Sequence, residues 1–239
     1  MKQLLINVLL AIFPSVVLAQ FNDAKMYQAY LKKDMNVWQQ ALNEACAIAK
    51  PTISQIEKIV NYEYGYIAAR LDEKKKDEAR RVMEQMEAHV KLLETHNSDG
   101  AMIAIYRSAL CAYEYKISTW PSLSVAMKSI EFVDKAMELA PGNPMVVSLK
   151  GNVDFYRPGI VGGSKKRALF NFEKAVKLFE EQNQTVNNWN YIATVLAMAQ
   201  AYERIGEKEK AILTCEKILK AAPNFTYVKE VYYPKLKKE

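Results

Sequence analysis

The sequence predicts an all-α fold built from antiparallel helix pairs. Apolar residues recur at spacings of three and four through one charged segment after another. The sustained apolar–polar alternation that marks a half-buried strand is absent. Punctuation is sparse, with eight glycines and eight prolines in 239 residues, and most of it falls between the periodic stretches, where helices start and stop.

The first nineteen residues stand apart from that pattern. Lys2 is followed by an apolar run from Leu4 to Phe13, a break at Pro14-Ser15 and the small residues ahead of Gln20. This order predicts a signal peptide over 1–19, cleaved before Gln20, and hence a periplasmic or secreted protein. A membrane-spanning helix needs about 20 apolar residues. The run is shorter and is interrupted by Asn7 and Pro14, so no integral membrane segment is expected in the mature chain, and no Cys near the cleavage site offers a lipid anchor.

Ten helices and a short terminal one follow. The first two are expected over Asp23–Lys33 and Asp34–Ala49, with Asp34 as a cap and Trp38, Leu42, Cys46 and Ala49 on one apolar face. Pro51 closes that pair, and Thr52 or Ser54 caps a third helix through Leu71. The charged turn Asp72–Asp77 leads to a fourth, ending near His96. After the loop Asn97–Gly100, the residues Ile103, Tyr106, Leu110, Tyr113 and Ile117 make a core stripe for the fifth. Trp120-Pro121 breaks it, and a sixth helix ends at Ala140-Pro141-Gly142-Asn143. The seventh spans Pro144–Tyr156, with Val146, Leu149, Val153 and Tyr156 as its apolar stripe. The loop Arg157–Gly163 precedes an eighth capped by Ser164. The ninth and tenth run over Trp189–Ile205 and Glu207–Ala222. A last short helix, Tyr227–Tyr233, is stopped by Pro234 and covers the apolar end of the stack.

Within Ala201–Asn224, Tyr202, Gly206, Ala211 and Pro223 stand at the offsets of a helix–turn–helix repeat. The arrangement resembles the tetratricopeptide repeat: an aromatic late in the first helix, Gly at the turn, Ala early in the second helix, Pro closing the unit. Weaker matches occur around Ala168–Ala175, Lys135–Pro141 and Gly65–Ala79. The resemblance implies a right-handed superhelix (an α-solenoid) over 58–224, preceded by a helix pair at 20–57 and followed by a cap at 225–239. Asp154 departs from the pattern by standing where a buried aromatic is expected. The segment Pro158–Ser164 departs from it too, as an inserted turn similar to one found in periplasmic repeat components of tripartite transporters.

Site chemistry is sparse. His89 and His96 are the two histidines, and firm metal binding needs three or four suitable ligands, so structural roles are expected for both. Gly162-Gly163-Ser164 lacks the Lys-Ser/Thr pair of a phosphate loop in register and is read as a tight turn with a cap. Three cysteines do not all pair within one chain, and buried thiols are expected. The net charge of +6 is interleaved with acids, which speaks against a nucleic-acid partner. No catalytic, cofactor or metal residues are assigned, and a non-enzymatic role is expected.

The resemblance implies a peptide-binding groove lined by first helices. Asn152 matches a position where that family often holds a peptide backbone. Arg107, Cys111, Tyr115, Phe155, Gln200, Glu203 and Arg204 are placed beside it by spacing. The expected function is an exported adaptor that binds a protein or peptide of the cell envelope. The alternative is a periplasmic small-ligand-binding or transport-accessory component, suggested by the glycine-containing insertion and the supply of aromatics.

Overall fold

The computed structural model describes residues 21–96, 98–120 and 122–238, without the side chain of Val161. The predicted signal peptide lies outside them. The chain forms α1 (Asp23–Lys32), α2 (Met35–Cys46), α3 (Ile53–Asp72), α4 (Lys76–Thr95), α5 (Gly100–Ile117) and α6 (Leu123–Leu139). Then follow α7 (Pro144–Tyr156), α8 (Lys165–Glu181), α9 (Trp189–Arg204), α10 (Lys208–Ala221) and α11 (Tyr233–Lys238). No strand occurs among the described residues.

Helix starts are set locally. Asp34, Asp99, Ser122, Asn143, Ser164 and Asn188 each accept a hydrogen bond from a backbone N–H of the following turn, satisfying donors the helix leaves unpaired. Thr52 and Gln55 form a reciprocal capping box at α3.

Consecutive helices pack as antiparallel pairs: α1 with α2, α3 with α4, α5 with α6, α7 with α8 and α9 with α10. The odd-numbered helices α3, α5, α7 and α9 also touch in succession, forming an inner layer of a solenoid-like stack. Small residues permit the close crossings: Ala168, Ala175, Ala199 and Ala211 are fully buried. Gly65 has the same purpose on α3, since a Cβ there would lie 2.4 Å from the Trp38 ring.

The stack does not stay open. α1 packs on α9 as well as on α2, and its Leu31 belongs to the core of the last pair. Asn61 of α3 accepts hydrogen bonds from Trp189 Nε1 and Asn190 Nδ2 of α9, both at 3.1 Å. The first and last pairs therefore meet, with Tyr30, Trp38, Tyr64 and Trp189 in mutual ring contact between them.

Three sequence expectations are corrected. In α7, Val146 and Leu149 are buried but Tyr156 is exposed, while Asp154 is fully buried. The inward position thus goes to the carboxylate, which has partners waiting on α8 and its turn. Pro234 does not stop the last helix: it sits at the second position of α11, directly after a π-helical turn Val228–Tyr232. Among the cysteines, Cys215 is buried, with its thiol pushed up to about 12 by burial, whereas Cys46 is exposed.

Candidate binding site at the mouth of the inner face

Near Trp189 the inner layer is filled by the aromatic contacts just described, in which Tyr30 and Tyr64 take part. The opposite end, where odd helices finish and turn into even ones, is different. Tyr156, the last residue of α7, is 72 % exposed, yet it lies within electrostatic reach of Tyr30, Tyr64, Asp72 and Tyr227 from α1, α3 and the C-terminal segment. Its ring is open to solvent, at the rim of this group of phenols. Tyr113 of α5 lies deeper and donates its hydroxyl proton to the Tyr64 carbonyl at 3.0 Å. The Asn152 amide bonds to the Tyr64 hydroxyl.

The electrostatics of this mouth are uniform. Burial pushes the Tyr64 phenol up to about 12 and the phenols of Tyr30 and Tyr113 well above their ordinary value. Enclosure by protein raises Tyr156 as well. At neutral pH all four are neutral hydroxyls on apolar rings. They offer flat faces for stacking and O–H groups for hydrogen bonds, rather than phenolate charge.

The turn beside Tyr156 is built by the inserted segment. Asp154 accepts from Arg157 (3.1 Å) and Asn171 (3.2 Å), with Arg167 at 3.5 Å. Gly162 adopts φ +89°, and a Cβ on Gly163 would fall 1.8 Å from the Arg157 carbonyl oxygen. Ser164 caps α8. The expected tight turn with a cap is thus what these glycines form. Lys165 donates to the Phe155 carbonyl and lies over the Phe155 ring; burial and the neighbouring Arg204 lower its pKa.

The residues expected to line a peptide groove are dispersed. Arg107 is held between Glu87 (2.6 Å) and Glu94 (2.7 Å) of α4, with Cys111 half-buried on the same helix. Phe155 is buried against Phe172. Glu203 accepts from Tyr232 and Lys235 of the C-terminal segment, at 3.0 Å each. Tyr115 and Arg204 are exposed, Gln200 is half-buried, and Asn152 alone reaches the tyrosine mouth. Spacing alone assigns no site role to Tyr30, Tyr64, Tyr156 or Tyr227. The one signal for Tyr156 was its place at the end of a stripe that Asp154 interrupts.

Concave surfaces lie elsewhere on the described residues. A shallow basin of about 680 Å³ lies at the first two turns, lined by Lys32, Lys33, Asp34, Arg70, Glu73 and Lys75 among others; its Arg70 is already paired with Glu73 and Glu78. A groove of about 360 Å³ runs between α8, α9 and α10. No group of three or more His, Cys, Asp or Glu suited to a metal ion occurs among the described residues. His89 Nδ1 bonds to the buried Glu63 at 2.8 Å, and His96 to the Leu92 carbonyl.

No protein-family model matches the chain, and no curated protein does either. Among solved structures, the chain is similar to the HusA haemophore from Porphyromonas gingivalis, at 16 % identity and a TM-score of 0.58, over 77 % of this chain and 94 % of that one. It is also matched to BtubC from P. vanneervenii, at 14 % identity and a TM-score of 0.43, over 87 % and 90 %. The first likeness bears on the fold: nearly the whole haemophore superposes on this helical stack.

Proposed function

We propose that this chain is an exported, non-enzymatic binding protein that takes a planar aromatic ligand of the porphyrin class at the tyrosine mouth. The observation that carries the reading is the exposed Tyr156 within electrostatic reach of Tyr30, Tyr64 and Tyr227. An aromatic side chain left in water within a concave, apolar, hydroxyl-bearing site suits a flat ring that stacks and accepts hydrogen bonds. The haemophore with a similar fold supports this ligand class, and the apolar leader supports export.

The raised phenols shape the chemistry. A tyrosine binds iron as phenolate, and burial, which raises these phenols, works against that form. Recognition then acts on the ring and its carboxylates, so metal-free protoporphyrin should bind about as well as the iron complex. Absorbance titration of both against the mature chain tests this. Tyr156→Ala should weaken each by about 1 kcal/mol, roughly five-fold in Kd, with the melting temperature unchanged. A strict need for iron, or indifference to Tyr156, would rule the reading out.

A second reading is the envelope adaptor holding a peptide. Exposed Tyr115 and Arg204 favour it. It predicts that a protein is recovered by the mature chain from an envelope extract and that Arg204→Ala weakens its capture, while porphyrins produce no spectral change.

A further inference from the structure

The turns joining α1 to α2, α3 to α4, α5 to α6, α7 to α8 and α9 to α10 all fall at one end of the antiparallel stack. This edge is cationic. Lys32, Lys74, Lys166 and Arg204 stand at or beside four of its five turns, all exposed, and among the described residues none has a carboxylate within 4 Å. The fifth turn, between α5 and α6, carries Trp120, which is 89 % exposed, and Leu123 follows it, also exposed. The neighbouring α7–α8 turn carries Ile160 at 96 % exposure.

Large apolar side chains held in water on protruding turns call for a cover. Here the cover is indicated by shape and charge together. The apolar groups are tips, not the walls of a groove, so they enter something soft rather than receive a matching segment. The cations are spread over four turns, which suits an extended sheet of negative charge better than one acidic side chain. Trp is at home at the headgroup level of a bilayer, and long cationic side chains reach phosphates while their stems stay in apolar surroundings.

We propose that this edge docks on an anionic lipid surface, with Trp120 and Ile160 entering the headgroup region and Lys32, Lys74, Lys166 and Arg204 lying on lipid phosphates. The docking does not depend on a ligand at the tyrosine mouth. It would nonetheless set the tyrosine mouth, which opens on the same edge, against the membrane.

The test uses the mature chain with vesicles of phosphatidylcholine alone or mixed with phosphatidylglycerol. The protein should sediment with the mixed vesicles, release as salt rises, and stay in solution with phosphatidylcholine alone. Tryptophan emission adds a site-specific readout, because Trp38 and Trp189 are buried at 1 % and 7 % exposure. A blue shift on adding vesicles therefore reports Trp120. Trp120→Ala should abolish the shift and reduce binding roughly five-fold. Lys74→Glu with Lys166→Glu should reduce it about ten-fold or more. Lys217→Glu, on the exposed face of α10, should leave it unchanged. The proposal is overturned if mixed vesicles bring down no protein, if binding is indifferent to Trp120 and the lysines, or if these residues control capture of a protein while vesicles stay unbound.

Discussion

Glu63 is fully buried between α3 and α4, and its Oε1 is hydrogen-bonded to His89. Burial raises the Glu63 carboxyl despite His89, and the bond to Glu63 raises the His89 imidazole. Both groups hold protons more tightly folded than unfolded. Stability from each is therefore complete below its ordinary titration range and falls as pH rises through its raised folded value. The melting temperature should drop from acid pH through the histidine range, and Glu63→Gln should flatten that slope in a thermal melt. His89→Ala strands a buried carboxylate and should cost about 3 kcal/mol at pH 8, at the low end for broken buried pairs because His89 is partly exposed. A pH-independent melt would remove the pair from this role. Gly65→Ala belongs to the same scale. A Cβ there meets the Trp38 and Trp189 rings at 2.4 and 2.8 Å, so overpacking should cost about 1–3 kcal/mol by urea unfolding. Neither position announced its role in the sequence. A lone Glu in a helix looks like a solvated one, and Gly65 carried only a weak repeat match.

At the scale of elements, the turn between α9 and α10 separates two contributions cleanly. Gly206 has φ +87° and open space around its would-be Cβ, so Gly206→Val meets backbone strain without a clash and should cost about 1–3 kcal/mol. Ala211→Leu, at a fully buried crossing, should cost about 1–3 kcal/mol through overpacking instead. A crystal structure of the second variant should show α9 and α10 moved apart, and one of the first a rebuilt turn with the helices in place. Unchanged unfolding midpoints would refute both. These features were legible because turn chemistry and small-residue spacing are local. The phase of α7 was not, since Asp154 faces inward only because Asn171 and Arg167 of α8 meet it there. Periodicity along one helix carries no record of partners on the next.

For the whole molecule, the ordered helices and their pairing could be read from the chain, but its closure could not. Asn61 to Trp189 and Gln28 to Asn224 are hydrogen bonds between residues more than a hundred positions apart, and no local pattern encodes them. The same gap hid the mouth, whose tyrosines come from α1, α3, α7 and the C-terminal segment. Closure changes the expected unfolding. An open solenoid melts as a row of neighbours, whereas here removal of residues 225–239 takes away Phe225, which packs on Tyr30. That truncation should lower the melting temperature and increase hydrogen exchange in α1 and α2 as well as in α10. Protection of α1 left intact would mean the ends are independent.

The meeting of α1 with α9 also sets a schedule for biosynthesis. Tyr30 and Leu31 are made early, but the surfaces that bury them, Trp189 and Phe225, are made last. Until then the first helix pair lacks its cover, and its apolar face is available to whatever escorts the nascent chain.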